Sequence, residues 1–230
     1  ALRRSHTGYV VIDIDRPQEI IDVSLTPVLS PGELGGFDDS GAMATWLASH
    51  QGKRYLYYVG WNLGVTVPFR NSVGLAIDSG EGQFVHYARG PIIDRTMHEP
   101  HFCASCCVVP GEDFWRIWYL SCTDWRMHGG RPEHRYHIKY AESDDGMNWR
   151  RHGIVAIDYA NDTEYAISRP SVIHDGCWRM WYSHRGRTYR IGYAESDDGR
   201  RWRRLDNTAG IDVSTSGWDS EMIEYPCVFN

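Results

Sequence analysis

Two stretches of this chain read almost alike, and that repetition restricts its fold more than any other feature. Tyr140-Ala-Glu-Ser-Asp-Asp-Gly146, followed by Trp149-Arg-Arg151, returns as Tyr193-Ala-Glu-Ser-Asp-Asp-Gly199, followed by Trp202-Arg-Arg204. A looser copy, Gly74-Leu-Ala-Ile-Asp-Ser-Gly-Glu-Gly82 with Phe84, lies one repeat earlier. Self-similarity at a spacing of about 50 residues marks an architecture in which each copy is one supersecondary unit. In each copy an alternating segment enters a Ser-Asp-Asp-Gly-type turn, with Gly placed for positive φ. A second strand then starts at an aromatic residue, which is a hairpin pattern.

Upstream of each hairpin lies another alternating segment: Arg54-Tyr-Leu-Tyr-Tyr58, Trp115-Arg-Ile-Trp-Tyr119 and Trp178-Arg-Met-Trp-Tyr182. Before that comes a strand of small and apolar residues: Ala42–Leu47, Ala104–Val109 and Ser168–Ile173. Four strands per unit predict an all-β fold of propeller blades, the small strand innermost, where blades crowd around a channel. No helical periodicity of useful length competes with this reading.

Counting strands places a second blade at 37–98, a third at 99–162 and a fourth at 163–217. Residues 1–36 read as the end of a first blade, with Gly8–Ile14 and Ile20–Val23 as its last two strands. Residues 218–230 read as the start of a fifth, with Met222–Phe229 as a first strand. The expectation is one propeller domain of a five-bladed ring, three blades complete and two partial, in a chain that begins with Ala rather than Met.

Composition narrows the partners. A 230-residue chain with 42% apolar residues can bury a substantial core, and a net charge of −6 without any basic block argues against tracking nucleic-acid phosphates. No apolar run reaches the ~18 residues that span a bilayer. The 10 Trp and 14 Tyr suit wide sheet interfaces, and the same rings stack on sugars. Six cysteines lie in apolar, strand-like contexts without the second ligand pair a zinc site would need, so they read as buried free thiols. With no disulfide framework and no visible signal peptide, a reducing, cytoplasmic compartment is expected.

The blade grammar, Trp181-Tyr-Ser183 followed by Ile191-Gly-Tyr-Ala-Glu-Ser-Asp-Asp-Gly199 and Trp202, together with Phe37-Asp-Asp-Ser-Gly41 and Trp218-Asp-Ser-Glu-Met222, resembles the five-bladed propeller glycosidases. These are the enzymes of the arabinanase, levansucrase and invertase type, including glycoside hydrolase family 43. The resemblance covers nearly the whole chain and implies an oligosaccharide or glycoside substrate. No cofactor is expected; the resemblance allows a divalent ion such as calcium in the central channel, and no ligand cluster in the sequence calls for one. The chain has no Arg-Asp-Pro triplet and no Asn-Asp-Pro-Asn run, so catalytic residues do not transfer by motif.

Glycoside cleavage needs two carboxyl groups across the sugar, one protonated and one ionised. In a propeller these come from the starts of inner strands. Asp38, Asp39, Glu164, Asp219 and Glu221 hold that position and are the catalytic candidates, with capping of local turns as the alternative role. Asp144, Asp145, Asp197 and Asp198 fall in hairpin turns and are read as caps. Trp61, Asn62 and Arg70, in a long segment Gly60–Asn71 expected to be a loop, and His101 and Arg169 are candidates for substrate binding. The insertion Thr123–His134 has the same two readings, recognition loop or edge cover. A phosphorylase would instead use Arg70, Arg95, His101 and Arg169 for phosphate, and a non-catalytic sugar-binding propeller is the third reading.

Overall fold

The computed structural model describes residues 4–80 and 82–229; Ala1, Leu2, Arg3, Glu81 and Asn230, which fall inside the expected blades, lie outside the described residues. The chain divides into two compact units, Ala1–Ile93 and Asp94–Asn230. Both are built of antiparallel β-sheet, and a single short 3-10 turn at Asp206–Thr208 is the only helical element among the described residues. No described helix is long and apolar enough to cross a membrane.

In the first unit, β1 (Val10–Ile12) and β2 (Ile20–Val23) form a two-stranded ribbon whose apolar side chains are exposed. A four-stranded meander follows: β3 (Gly41–His50), β4 (Lys53–Leu63), β5 (Phe69–Gly80) and β6 (Gln83–His86), in that spatial order. Gln51 and Gly52 both take positive φ between β3 and β4, the tight turn that matches strand twist. One face packs Ala42, Leu56, Tyr58 and Ala76 against Leu29, with Phe37 and Phe84 at the margin.

The second unit repeats the meander twice. One copy is β7 (Cys103–Val109), β8 (Trp115–His128), β9 (Arg131–Ser143) and β10 (Val155–Ile157). The other is β11 (Ala166–His174), β12 (Trp178–Arg185), β13 (Tyr189–Ser196) and β14 (Arg203–Arg204). A parallel pairing of β9 with β11 at Tyr136 and Ala166 joins the copies into one sheet. The repeated turn is also the joint between them. The Trp118 indole N–H donates to Gly199 O at 2.9 Å, and Gly199, at φ 73°, sits against Trp118 and Trp178.

Each copy is a propeller blade, and every first strand carries a β-bulge at the same level: between Ala44 and Trp46, between Cys103 and Cys106, and between Ser168 and Ser171. A bulge bends the strand and re-aims its side chains. Asp145 and Asp198 cap the repeated turns, each accepting from two backbone N–H groups at 2.8 Å.

Three expectations change. The Gly60–Asn71 segment is no loop: β4 and β5 simply run on, and only residues 64–68 turn. Thr123–His134 is likewise the continuation of β8 and β9, closed by Gly129-Gly130 at positive φ. Met222–Phe229, expected as a strand, forms none. Pro226 has no N–H, Tyr225 sits at φ 64°, and the Tyr225 and Val228 N–H groups donate to the Ser183 and Ser171 hydroxyls instead of to a ladder. The cysteines also divide: Cys103, Cys106, Cys107 and Cys122 are buried, whereas Cys227 is exposed.

Candidate functional site

In each blade a carboxylate stands just before the first strand and is buried: Asp38, Glu99 and Glu164 are 3%, 5% and 4% exposed. A buried charge needs partners, and every blade supplies them from its own later segments, always including its second strand. Asp38 accepts from the Tyr58 hydroxyl at 2.8 Å and pairs with His86 at 3.3 Å. Glu99 accepts from Tyr119 at 3.1 Å and Ser121 at 2.9 Å, with Lys139 and Arg151 within 4 Å. Glu164 is gripped by both terminal nitrogens of Arg204, at 2.7 and 2.9 Å, and by His184 at 2.7 Å.

His86, Arg151 and Arg204 are the same position of the repeat, two residues past Phe84, Trp149 and Trp202. The arrangement is a clasp that ties the start of each blade to the segment after its repeated turn, which is the fourth strand for His86 and Arg204. Tyr182 joins it indirectly, donating to Asp206, which Arg204 also binds. Glu99 went unnoticed in the sequence, although the Trp-Arg-Arg copies carried the signal. Asp38 and Glu164 therefore have a structural task in the fold. Burial pushes the Glu164 carboxyl up, but Arg204, His184 and the Ala160 N–H outweigh it and hold it at about 2.

Asp39 differs from its neighbour. Half-buried, it accepts from the Gly35 N–H at 3.1 Å and the Ser40 hydroxyl at 3.0 Å, and it lines a cleft of about 870 Å³ in the first unit. The register pairs Trp61 with Asn71, Asn62 with Arg70 and Leu63 with Phe69. Alternation along strands then places Trp61, Leu63, Phe69 and Asn71 on one face, and Asn62 and Arg70 on the other. The first set lines the cleft beside Asp39 and Met43. Trp61 lies across from Gly41, where a Cβ would collide with the indole, and its N–H donates to Ser5 at 3.3 Å. Asn62 instead reaches Gly36 O at 3.3 Å, and Arg70 is exposed.

The remaining candidates lie in the second unit. Arg169 occupies the β11 bulge at φ 51°, a left-handed conformation that costs a non-glycine residue on the order of 1 kcal/mol. Its N–H donates to Ser105 at 3.3 Å and its guanidinium covers the Tyr225 ring at 4.9 Å. His101 is partly buried just before β7. Asp219 accepts from the Ser214 hydroxyl at 2.7 Å, which is turn capping, and Glu221 is exposed. Arg95 is half-exposed beside Asp94. Among the described residues no group of His, Cys, Asp and Glu is arranged to hold a metal ion.

No family model matches the chain. Among solved structures, it is similar to a thermostable family-43 glycoside hydrolase (TM-score 0.60, 18% identity, 81% of this chain and 61% of that one). It is similar also to a glycosyl hydrolase from Bacteroides ovatus (TM-score 0.60, 17% identity, 89% and 60%). A third likeness is to the Bombyx mori GH32 beta-fructofuranosidase BmSUC1 (TM-score 0.59, 16% identity, 76% and 38%). The chain thus spans less than two thirds of the length of each of these structures, and at such identities the likeness establishes the propeller glycosidase fold. In sequence it is 40% identical over 228 residues to the uncharacterized proteins Rv1502 and MT1551 of two Mycobacterium tuberculosis strains, covering 99% of this chain and 76% of theirs. The chain belongs to the family of these mycobacterial proteins, on the fold of the propeller glycoside hydrolases.

Proposed function

We propose that the protein acts on carbohydrates, cleaving a glycosidic bond in substrate held at the cleft of its first unit. The observation that carries this reading is the placement of Trp61 and Asp39 on one cleft of about 870 Å³. A sugar ring presents C–H groups on its face and hydroxyls at its rim, so an indole beside a carboxylate and an amide matches both. In this reading Trp61 is the stacking platform, Asn71 a hydroxyl partner and Asp39 the reacting or orienting carboxylate. The fold likeness to glycoside hydrolases agrees with it.

Hydrolysis requires a second carboxyl group. Asp39 is the one carboxylate among the cleft's described lining residues. That single observation favours, as a second reading, a propeller that binds oligosaccharide without turnover. Phosphorolysis has less support: Arg70 points away from the Trp61 face, and Arg169 is engaged with Tyr225.

An assay of the protein on aryl glycosides and oligosaccharides, with and without inorganic phosphate, separates the three. Hydrolysis predicts phosphate-independent turnover that Asp39→Asn removes, with binding retained. Saturable binding without turnover selects the binder. Absence of both, or binding indifferent to Trp61→Ala, overturns the assignment of this cleft.

A further inference from the structure

The three clasps are not quite equivalent, and the departure is informative. Two residues past Tyr58, Tyr119 and Tyr182, the second strand of each blade faces the first: Gly60 opposite Ala42, Ser121 opposite Cys103 and His184 opposite Ile167. In the second blade this position is bare glycine. In the third, the Ser121 hydroxyl donates to Glu99 at 2.9 Å. The fourth blade alone places an imidazole there, although Arg204 already satisfies both oxygens of Glu164. Holding the blade together does not call for this histidine.

His184 Nδ1 lies 2.7 Å from Glu164 Oε1. A carboxylate acceptor fixes the neutral ring with its proton on Nδ1 and leaves Nε2 as a lone-pair acceptor. His184 lines a cleft of about 530 Å³ formed by β12, β13 and residues 206–212, and among the described residues nothing bonds its Nε2. Asn207, exposed on the same cleft, has an amide likewise uncommitted among the described residues. The charged groups there are engaged with one another or with backbone. Asp206 accepts from Tyr182, Arg204 and the Tyr193 N–H, while Arg190 binds Asp212, Thr188 and two backbone carbonyls. Ile191, Ala209 and Ile211 add apolar lining.

We propose that His184, oriented by Glu164, and Asn207 form a second binding subsite, for a neutral polyhydroxylated ligand of the sugar class. Nε2 accepts a hydroxyl proton, the Asn207 amide donates and accepts, and the apolar lining meets the C–H face. The one arginine on the cleft, Arg190, is paired with Asp212, so the subsite favours neutral ligands over phosphate and carboxylate. It is separate from the Trp61 cleft and stands whether or not that cleft is catalytic.

The test is a long-range 1H–15N NMR titration of the intact protein with mannobiose, xylobiose, arabinobiose and, separately, inorganic phosphate. A neutral disaccharide should move the His184 Nε2 resonance saturably. His184→Ser, which recreates the third blade's arrangement, should leave the protein folded and weaken that binding roughly fivefold to tenfold, the worth of one hydrogen bond. Asn207→Ala should weaken it less, and Trp61→Ala should leave it unchanged. Should the serine variant unfold, the wild-type titration decides alone. No response of Nε2 to any sugar, a response to phosphate only, or undiminished binding in folded His184→Ser overturns the subsite.

Discussion

The second and fourth blades each bury a carboxylate at the same place, Asp38 in one and Glu164 in the other, and neutralise it differently. Asp38 has one tyrosine hydroxyl and an imidazole, and the imidazole is itself anchored by its other nitrogen, 2.9 Å from Ser30 O. Glu164 has a two-pronged guanidinium, an imidazole and a backbone N–H. A guanidinium stays charged at any ordinary pH, whereas an imidazole titrates near neutrality. The repeat therefore conserves a location and a charge pattern while leaving one blade open to proton control. That blade also carries Asp39, next to Asp38 in the chain, and Trp61, paired with Gly41 at the start of β3.

Arg204→Met should have the largest effect of any single change in the fourth blade. It leaves Glu164 buried with only His184 and the Ala160 N–H, and loss of one partner from a buried pair costs about 3–5 kcal/mol. Urea unfolding should show this loss, with amide exchange accelerated in β11–β14. A variant as stable as the parent would show that the clasp does not hold the fourth blade.

Acid should separate the blades next. The Glu164 carboxyl, held at about 2 in the fold, is depressed below its unfolded value. Its contribution, on the order of 3 kcal/mol, is present above that unfolded value and disappears as pH falls from about 4 towards 2. Exchange protection of β11–β14 should collapse over that window in a way that Glu164→Gln, already lacking the charge, does not reproduce.

The second blade should respond in the opposite direction. The hydrogen bond to Asp38 raises His86 above its ordinary value, against the effect of burial. Stability from this pair is complete below the unfolded histidine value and is lost as pH rises through the folded one. Protection of β3–β6 should thus decline on going from mildly acidic to mildly alkaline buffer, and His86→Arg, which imports the other blades' residue type, should flatten the profile. A flat profile in the parent would remove the proposed difference between the blades.

The smallest effects belong to the tyrosines. Tyr58→Phe removes a hydroxyl bonded directly to a buried carboxylate, and Tyr182→Phe removes one from Asp206, which keeps Arg204 and the Tyr193 N–H. Thermal unfolding should show about 1–2 kcal/mol for the first and about 1 kcal/mol or less for the second. The reverse order would place the weight of the clasp on Asp206.

Much of the architecture was legible because the blade is a local object. Strand alternation, the Ser-Asp-Asp-Gly turn and the aromatic that restarts the chain act over a few residues each. Periodicity could therefore locate β4, β8 and β12 and the capping roles of Asp145 and Asp198. The same reasoning failed at Gly60–Asn71, expected to be a loop, although cross-strand pairing carries both strands on to Leu63 and Phe69. Tyr225-Pro226 failed oppositely: an apolar run promised a strand, and a left-handed residue before a proline withdrew it.

The repeat, the all-β class and the position of a carboxylate ahead of the inner strand follow from residue order alone. Position is set by covalent order, which the sequence states directly. Which of those carboxylates is sealed and which faces a cleft depends on how the strands pack. Asp38 and Asp39 are adjacent in the chain, and their side chains diverge: one meets Tyr58 and His86, the other lines the cleft beside Trp61. That partition depends on groups 20 and more residues away in β4 and β6, brought in by strand pairing. No local rule of propensity or turn chemistry contains it.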